Sequence, residues 1–392
     1  MLDRVDALTA ARRLLHVPDD GSGDPSHWNT DTGRVCVPSP SPDRLQSGQS
    51  APATARPSRA VVGAIARLPE CAGYRFTPFG WQAETDLLVK RKTRVDAEDE
   101  ARMSLYRRGV IAHALFAQDP RKQWVRRWLK ARFIDAQLVP DAIDRLLEVA
   151  GMVYGFAGRG DAAEGFVVRS ADLGGRPARL LLSRAMVGMI EGPPGSRAGA
   201  LHATYLAHKG YRKASAYDGP GRKVWAGTGG ARGGVWLTDR TPRSGPLFVA
   251  EGIETVLSVL AEYRRREKTS AGRALAVISL DNLQGGVAKD KFGRWRLHPL
   301  EADPARLPVV WPNAGDVVIC PDHDMRPIRV KVRGGETELD ASARMDLSAQ
   351  LSAAAWRAAG AASVSVLRPP LGMDFNDAAR EKMLRRHEVQ AA

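Results

Sequence analysis

LFVAEGIETVLSVL, residues 247–260, carries the clearest structural signal in this chain. Its apolar run stops at a carboxylate and a glycine, Glu251 and Gly252, and apolar residues with helical spacing follow. We therefore predict a buried strand over 246–250 and a helix over 254–266. A strand that passes straight into a helix is typical of folds in which the two elements alternate.

The rest of the C-terminal half repeats this alternation. Further strands are predicted in ALAVISL (274–280), DVVICPD (316–322) and SVSVLRP (363–369), and a helix ending at a glycine in 342–360. Apolar strands that alternate with helices indicate a parallel, doubly wound sheet. We therefore expect an α/β domain over residues 244–385.

Every predicted strand delivers a carboxylate to the same edge of that sheet, where ligands and chemistry collect in open α/β folds. These residues are, in chain order, Glu251, Asp281, Asp322, Asp324, Asp374 and Asp377. Asp322 and Asp324 are two residues apart, so in extended chain their side chains point to the same side. Carboxylates packed this closely repel each other, and Mg²⁺, which prefers hard oxygen ligands, would relieve that cost.

Other interpretations of these residues stay open. Glu251 could cap its own helix, and the aspartate pair could cap a turn. Asp281 either joins the acidic group or caps a turn. His323 lies between the two aspartates and is expected to point away from them, so we do not assign it to a metal.

The segment upstream of the predicted sheet is basic and rich in glycine. Residues 151–243 read as short strands broken by glycines, which indicates a small mixed α+β subdomain. Within it, 212–234 contains Lys213, Arg222, Lys223 and Arg232, candidates for contact with phosphates. No GK[ST] follows these glycines, which argues against a P-loop motor.

The N-terminal part is less informative. Residues 1–93 match no pattern that we can place, and 37–60 has the composition of a Pro/Ser-rich linker. Residues 94–150 are predicted to be mostly helical. The stretch 119–134 either presents Trp124 and Trp128 with arginines to phosphates or docks by its tryptophans with solvated arginines outside, and we favour the second interpretation.

Composition favours a polyanionic partner. The formal net charge is +14, with 58 Lys and Arg against 44 Asp and Glu, which points to nucleic acid. Three widely spaced cysteines predict neither a disulfide framework nor a zinc ribbon. No secretory leader and no apolar run long enough to span a bilayer is evident, so a cytoplasmic location is expected.

Several motifs together resemble the Toprim domain. EGIETVLS (251–258) followed by DHD (322–324) is similar to the two acidic motifs of that domain. LHATYL (201–206), GARGGVWL (230–237) and GMDFNDAAR (372–380) resemble elements of the primase-type Toprim proteins of phages, plasmids and mobile elements.

The resemblance implies roles for particular residues. Glu251 would be a metal ligand or general acid/base, Asp322 and Asp324 would hold Mg²⁺ or Mn²⁺, and Asp374 and Asp377 would support a second ion. The basic segment would cradle nucleotide phosphates and template.

The implied activity is that of a DNA primase or primase-like nucleotidyltransferase. It would make short primers from nucleoside triphosphates on single-stranded DNA, with a separate helicase or replication initiator as partner. The zinc ribbon usual in such primases is missing from the sequence, which leaves initiation specificity open. The alternatives are a Toprim nuclease and a non-catalytic DNA-binding accessory protein.

Overall fold

The computed structural model describes residues 106–391, apart from the short gaps 108, 116, 157–164, 173–176, 197–198, 215–220 and 227–230. The predictions for residues 1–93 and for the linker at 37–60 lie outside this range. Within the described residues, no helix is long and apolar enough to cross a membrane.

The first part of the described chain is mainly antiparallel. Residues 109–115 are helical. The elements that follow are α1 (Gln123–Ala131), α2 (Pro140–Arg145), β1 (Leu147–Phe156), β2 (Val167–Asp172), β3 (Pro177–Glu191), β4 (Gly199–Ala207), β5 (Arg212–Lys213), β6 (Arg222–Ala226) and β7 (Gly234–Trp236).

The second part alternates strands and helices. Its elements are β8 (Leu247–Ala250), α3 (Ile253–Glu267), β9 (Arg273–Ala276), α4 (Leu280–Gln284), β10 (Asp316–Cys320), β11 (Ile328–Val332), β12 (Gly335–Leu339), α5 (Ala341–Ala358), β13 (Ser363–Val366) and α6 (Phe375–Ala391).

One mixed sheet runs through both parts. Its order is β13-β10-β8-β9-β7-β3-β4-β5, with β1 and β2 also on β3 and β6 on β4. The strands β9, β8, β10 and β13 are parallel, whereas β7 pairs antiparallel with both β9 and β3. The predicted α/β architecture is confirmed in this coarse form: the parallel strands form one half of a larger mixed sheet.

The central parallel strand β8 is apolar because both of its faces are covered. Phe248 and Ala250 pack with residues of α3, whereas Leu247 and Val249 pack in a separate core with Trp356 of α5. Alternate residues of a strand point to opposite faces, so a strand buried on both sides needs an unbroken apolar run. The run LFVA meets that requirement.

The strand predicted over 274–280 is shorter than expected. It ends at Ala276, and α4 begins at Leu280. Ile278 has a φ of 71°, in the left-handed region, and the Ser279 hydroxyl accepts the Asn282 N–H as an N-cap. These local interactions end the strand although its apolar residues continue.

Helix α1 docks by its apolar face, which agrees with the favoured interpretation of 119–134 except at Arg132, which is half-buried over Trp128. Val125, Trp128 and Leu129 are buried, whereas Arg126 and Lys130 are exposed. Of the helical segment predicted over 94–150, residues 94–105 lie outside the described range, and the prediction is wrong at the other end, where β1 begins at Leu147.

Candidate active site at the carboxyl edge of the parallel strands

The parallel strands reverse their order of winding between β8 and β10. From β8 the chain moves to β9 on one side, and then returns to β10 on the other. Glu251 directly follows β8, and Asp322 lies two residues after the end of β10. Both carboxylates therefore stand at the topological switch point, where crevices in open α/β sheets bind ligands.

Four of the predicted carboxylates influence one another here. Burial, together with the nearby charges of Glu251, Asp374 and Asp324, raises the pKa of Asp322 to about 8, against a hydrogen bond from Thr255. A raised pKa is expected for a carboxylate that is shielded from water and lies near other negative charges. The carboxyl edge thus concentrates negative charge.

Glu251 and Asp374 show the same kind of perturbation. Burial raises the pKa of Glu251, the charges of Asp324 and Asp281 add to the increase, and Arg222 and Arg344 oppose it. The pKa of Asp374 is also raised, first by burial. Perturbed groups that cluster in a cleft are candidates for function.

The donor set suits a hard divalent cation. Oδ1 of Asp322 is buried and accepts no hydrogen bond from the described residues. Among those same residues, no group of three or more His, Cys, Asp or Glu side chains is gathered into a ready metal site. Magnesium commonly binds through one or two carboxylates together with water and substrate phosphates, and the arrangement at Asp322 fits that mode.

Asp374 and Asp377 also serve the last helix. The Asp377 backbone N–H donates to Oδ1 of Asp374 at 2.7 Å, in the manner of an N-cap at the start of α6. Asp377 itself is exposed in the first turn. Asp374 therefore has one oxygen engaged in capping and still adds charge beside Asp322.

Two of the predicted cations face the carboxylates from the antiparallel strands. Arg222 begins β6 and Lys213 ends β5, and the charge of Arg222 acts on Glu251. Both contact Glu254 of α3, with Arg222 Nη2 at 2.8 Å and Lys213 Nζ at 3.9 Å from its Oε1. Ion pairs with α3 thus bring the basic residues of β5 and β6 close to the carboxylates at the ends of the parallel strands.

Glu254 is a site residue that sequence reasoning missed. Its side chain is 5% exposed, and although burial alone would raise its pKa, Arg222 and Lys213 lower the pKa to about 2. Burial in turn lowers the pKa of Lys213 to about 8. In the sequence, Glu254 could have been recognised as a charged residue in the first turn of an otherwise buried helix, three residues after Glu251.

Two further residues border this cluster. His202 of β4 is buried, and burial lowers its pKa to about 4. The guanidinium of Arg132 lies 4.8 Å from the Trp128 ring centroid, and its charge acts on both Lys213 and Asp374. Arg132, the residue directly after helix α1, therefore brings a cation to the site.

Lys223 points away from its neighbour Arg222, as alternation along a strand requires. Its Nζ donates to the Tyr154 carbonyl at 2.5 Å and lies 4.9 Å and 4.7 Å from the ring centroids of Tyr154 and Trp225. The structure does not bring Lys223 to the carboxylate cluster.

Arg232 and Asp281 lie beside a cleft of about 320 Å³ at the end of β9. Arg232 donates to the Leu307 carbonyl. Asp281 is 70% exposed and forms an ion pair with Arg306 at 3.0 Å. Its charge still raises the pKa of Glu251, so Asp281 flanks the acidic group, and the helix cap beside it is supplied by Ser279.

His323 and Asn376 brace the loops that carry the carboxylates. His323 Nε2 lies 2.8 Å from the Ser342 hydroxyl at the start of α5. Asn376 is buried, and its amide donates to the Arg132 carbonyl at 2.5 Å and to the Ser258 hydroxyl at 3.1 Å. The asparagine thus ties the start of α6 to α3 and to the end of α1.

The site therefore combines oxygen donors for a divalent cation with fixed cations that could bind phosphate oxygens. Such a combination suits phosphoryl transfer, where positioning and charge neutralisation do most of the work. Comparison with protein-family models, curated proteins and solved structures finds no match to this chain.

Proposed function

We propose that this protein is a Toprim-type DNA primase, a metal-dependent nucleotidyltransferase that makes short primers on single-stranded DNA. The observation that carries the proposal is the meeting of two charge sets at one switch point. Glu251, Asp322, Asp324 and Asp374 lie on the acidic side, and Arg222 and Lys213 face them. The net charge of +14 suits a nucleic acid substrate.

The carboxylates would hold Mg²⁺ or Mn²⁺. Asp322 and Asp324, with Glu251, are the primary candidates, and Asp374 and Asp377 would support a second ion. Bound there, the metal would neutralise negative charge on the reacting phosphates and on the attacking and leaving oxygens. The orphaned Oδ1 of Asp322 is the oxygen with most to gain from a cation.

The chain's own cations would place the nucleotide. Arg222 presents a planar fork that matches phosphate geometry, whereas Lys213 acts as a compact charge. Glu254 holds both side chains on the side of the site next to α3. A polyphosphate bound between these cations and the acidic edge would be fixed at both ends.

De novo primer synthesis tests the proposal. Purified full-length protein is mixed with single-stranded templates of varied sequence, labelled ribonucleotides and Mg²⁺ or Mn²⁺. Glu251→Gln is run beside the wild type, with Glu267→Gln, an exposed position on the same helix, as matched control. We expect short products from the wild type and the control, and none from Glu251→Gln.

Other outcomes would contradict the proposal. Degradation of the template in a metal-dependent and Glu251-dependent manner would identify a nuclease. Template binding without synthesis or cleavage, with every metal and template tested and with a replicative helicase added, would identify a DNA-binding accessory protein. Synthesis undiminished in Glu251→Gln would remove that residue from the site.

A further inference from the structure

Two hairpins leave the sheet at the edge that carries the carboxylates. Residues 287–302 follow β9 and α4, and the β11–β12 ribbon at 328–339 follows Asp324. We call these two segments the hairpin pair. Because each starts from the carboxyl end of a parallel strand, both stand on the same side of the molecule as the candidate site.

The two hairpins of the pair are joined to each other and to the domain. Trp295 N–H donates to the Lys331 carbonyl at 2.7 Å, which links the first hairpin to the second. Val287 is buried with Leu347 and Leu351 of α5, and Leu339 of β12 packs against this cluster. The hairpins are therefore held to the domain and to each other by backbone pairing and apolar contact.

The tip of the first hairpin exposes an aromatic ring between two cations. Phe292 is 65% exposed. Lys291 Nζ lies 5.1 Å from its ring centroid and the Arg294 guanidinium 4.7 Å. The ring contributes little to a core, and with two cations near it the exposed ring suits a ligand that has both a flat face and negative charge.

The tip is also rigid. Oδ1 of Asp290 accepts the backbone N–H groups of Phe292 at 2.8 Å and Arg294 at 3.1 Å, and Oδ2 accepts Arg294 Nε at 2.7 Å. Gly293 takes a left-handed φ of 76°, and its N–H bonds to the Asp290 carbonyl. A loop backbone held in this way loses little conformational entropy when its side chains bind a partner.

Charge on the hairpin pair is unbalanced. The two segments hold seven basic and four acidic side chains. Arg294, Arg296 and Arg329 are in ion pairs with acidic neighbours. The exposed basic residues that form no ion pair within the described part of the chain are Lys289, Lys291, Lys331 and Arg333.

We infer that the hairpin pair is a binding surface for single-stranded nucleic acid. Phe292 stacks on an unpaired base, and the unpaired lysines contact the phosphates on either side of it. Aromatic platforms combined with basic side chains are the usual means of binding single strands without sequence preference. In a duplex the base faces are already covered by their neighbours, so an exposed ring in this setting selects an unpaired strand.

The inference rests on the proposed function only for its choice of partner, and binding can be measured without catalysis. The probe is a labelled oligothymidylate, titrated by fluorescence anisotropy with the full chain in the presence of a chelator and without nucleotides. We expect Phe292→Ala to weaken binding about tenfold. Phe292→Trp should keep the affinity, and a duplex of equal length should bind Phe292→Ala and wild type alike.

A second variant tests the phosphate contacts. Lys291→Ala should reduce the slope of log affinity against log salt by about 0.7, the value for one contact on a single strand. Arg357→Ala is the matched control, because Arg357 is exposed near the end of α5, where that helix returns to the opposite edge of the sheet. The control should change neither the affinity nor the slope.

Equal affinity of wild type and Phe292→Ala for the single strand would overturn the inference, and so would an equal loss on the duplex. Phe292-dependent binding to phosphatidylserine vesicles, with unchanged oligonucleotide binding, would assign the surface to membranes. Primer synthesis without any effect of Phe292 would overturn this surface alone. Phe292-dependent binding in a protein that makes no primers would overturn the proposed function alone.

Discussion

Glu148 in the antiparallel half of the sheet and Asp322 in the parallel half both hold a carboxylate oxygen away from water, and their surroundings differ. Glu148 Oε2 accepts the N–H groups of Trp124 and Val125 at the start of α1, and Oε1 meets Arg184 at 2.5 Å. Asp322 keeps Oδ1 without a hydrogen bond from the described residues and lies among like charges.

Under the proposed function, the difference separates a structural carboxylate, Glu148, from a metal-binding one, Asp322. A buried carboxylate that receives a cation and two N–H donors stabilises the fold around it. A buried carboxylate among other carboxylates costs stability until a cation arrives. Changes at Asp322, Glu148, Glu254 and Lys213 should therefore differ in which property they affect and by how much.

Asp322→Asn should lower primer synthesis by about 10²–10³-fold, because a metal that neutralises transition-state charge contributes several kcal/mol. Oligonucleotide affinity and thermal stability should change little, since the variant removes no groove contact and relieves repulsion. Measured single-turnover rates with calorimetric melting would show both. A variant that polymerises normally would disprove the metal assignment.

Glu148→Gln should behave in the opposite way. Loss of the charge weakens the cap of α1 and leaves Arg184 with Asp119 alone, and we expect a loss of about 2 kcal/mol in the free energy of unfolding. Activity per folded molecule should stay within twofold of wild type. Urea titration followed by circular dichroism measures the first quantity, and activity corrected for folded fraction the second. A stable but inactive variant would show that Glu148 takes part in the activity, which would contradict its structural role.

Glu254 connects the two halves, and its substitution should have an intermediate effect. Glu254→Gln removes the charge that keeps Lys213 protonated and pairs with Arg222. We expect the KM for nucleotide to rise about tenfold, the worth of one charge-assisted hydrogen bond, with kcat nearly unchanged. Glu254→Asp keeps the charge and should recover part of the affinity. A fall in kcat alone would place Glu254 in the chemistry and contradict a positioning role.

A feature of either region could be predicted from sequence where its cause lies in neighbouring residues. It could not be predicted where it depends on strand pairing. The parallel strands and their terminal carboxylates follow from apolar runs that stop at charges, so Glu251, Asp322 and Asp324 could be selected. Arg222 and Lys223 could not be told apart, because a glycine-rich segment gives no register and only strand pairing decides which side chain faces α3. Glu254 looked like an ordinary first-turn residue of a helix.

The hairpin pair was missed for a different reason. In the first hairpin the sequence VAKDKFGRWRL has no apolar alternation long enough to predict a strand, whereas IRVKV of β11 in the second does alternate and was an available signal. The turn at Asp290 is fixed by one side chain that bonds to three groups, a pattern that composition does not reveal. The mixed character of the sheet escaped prediction as well, because β7 is only three residues long and still joins the two halves.

The smallest effect concerns pH. Burial, together with Arg222 and Arg132, lowers the pKa of Lys213 to about 8, against the opposing charges of Glu254 and Asp374. The lysine is therefore charged below pH 8 and neutral above it, so phosphate binding through Lys213 should weaken as the pH rises. We expect the KM for nucleotide to increase a few-fold between pH 7 and pH 9, as the loss of one partly solvated phosphate contact implies. Lys213→Arg keeps its charge throughout and should flatten the profile, whereas Glu254→Gln should move the rise to lower pH. An unchanged profile in Lys213→Arg would assign the titration to another group and leave Arg222 as the cation that carries nucleotide binding.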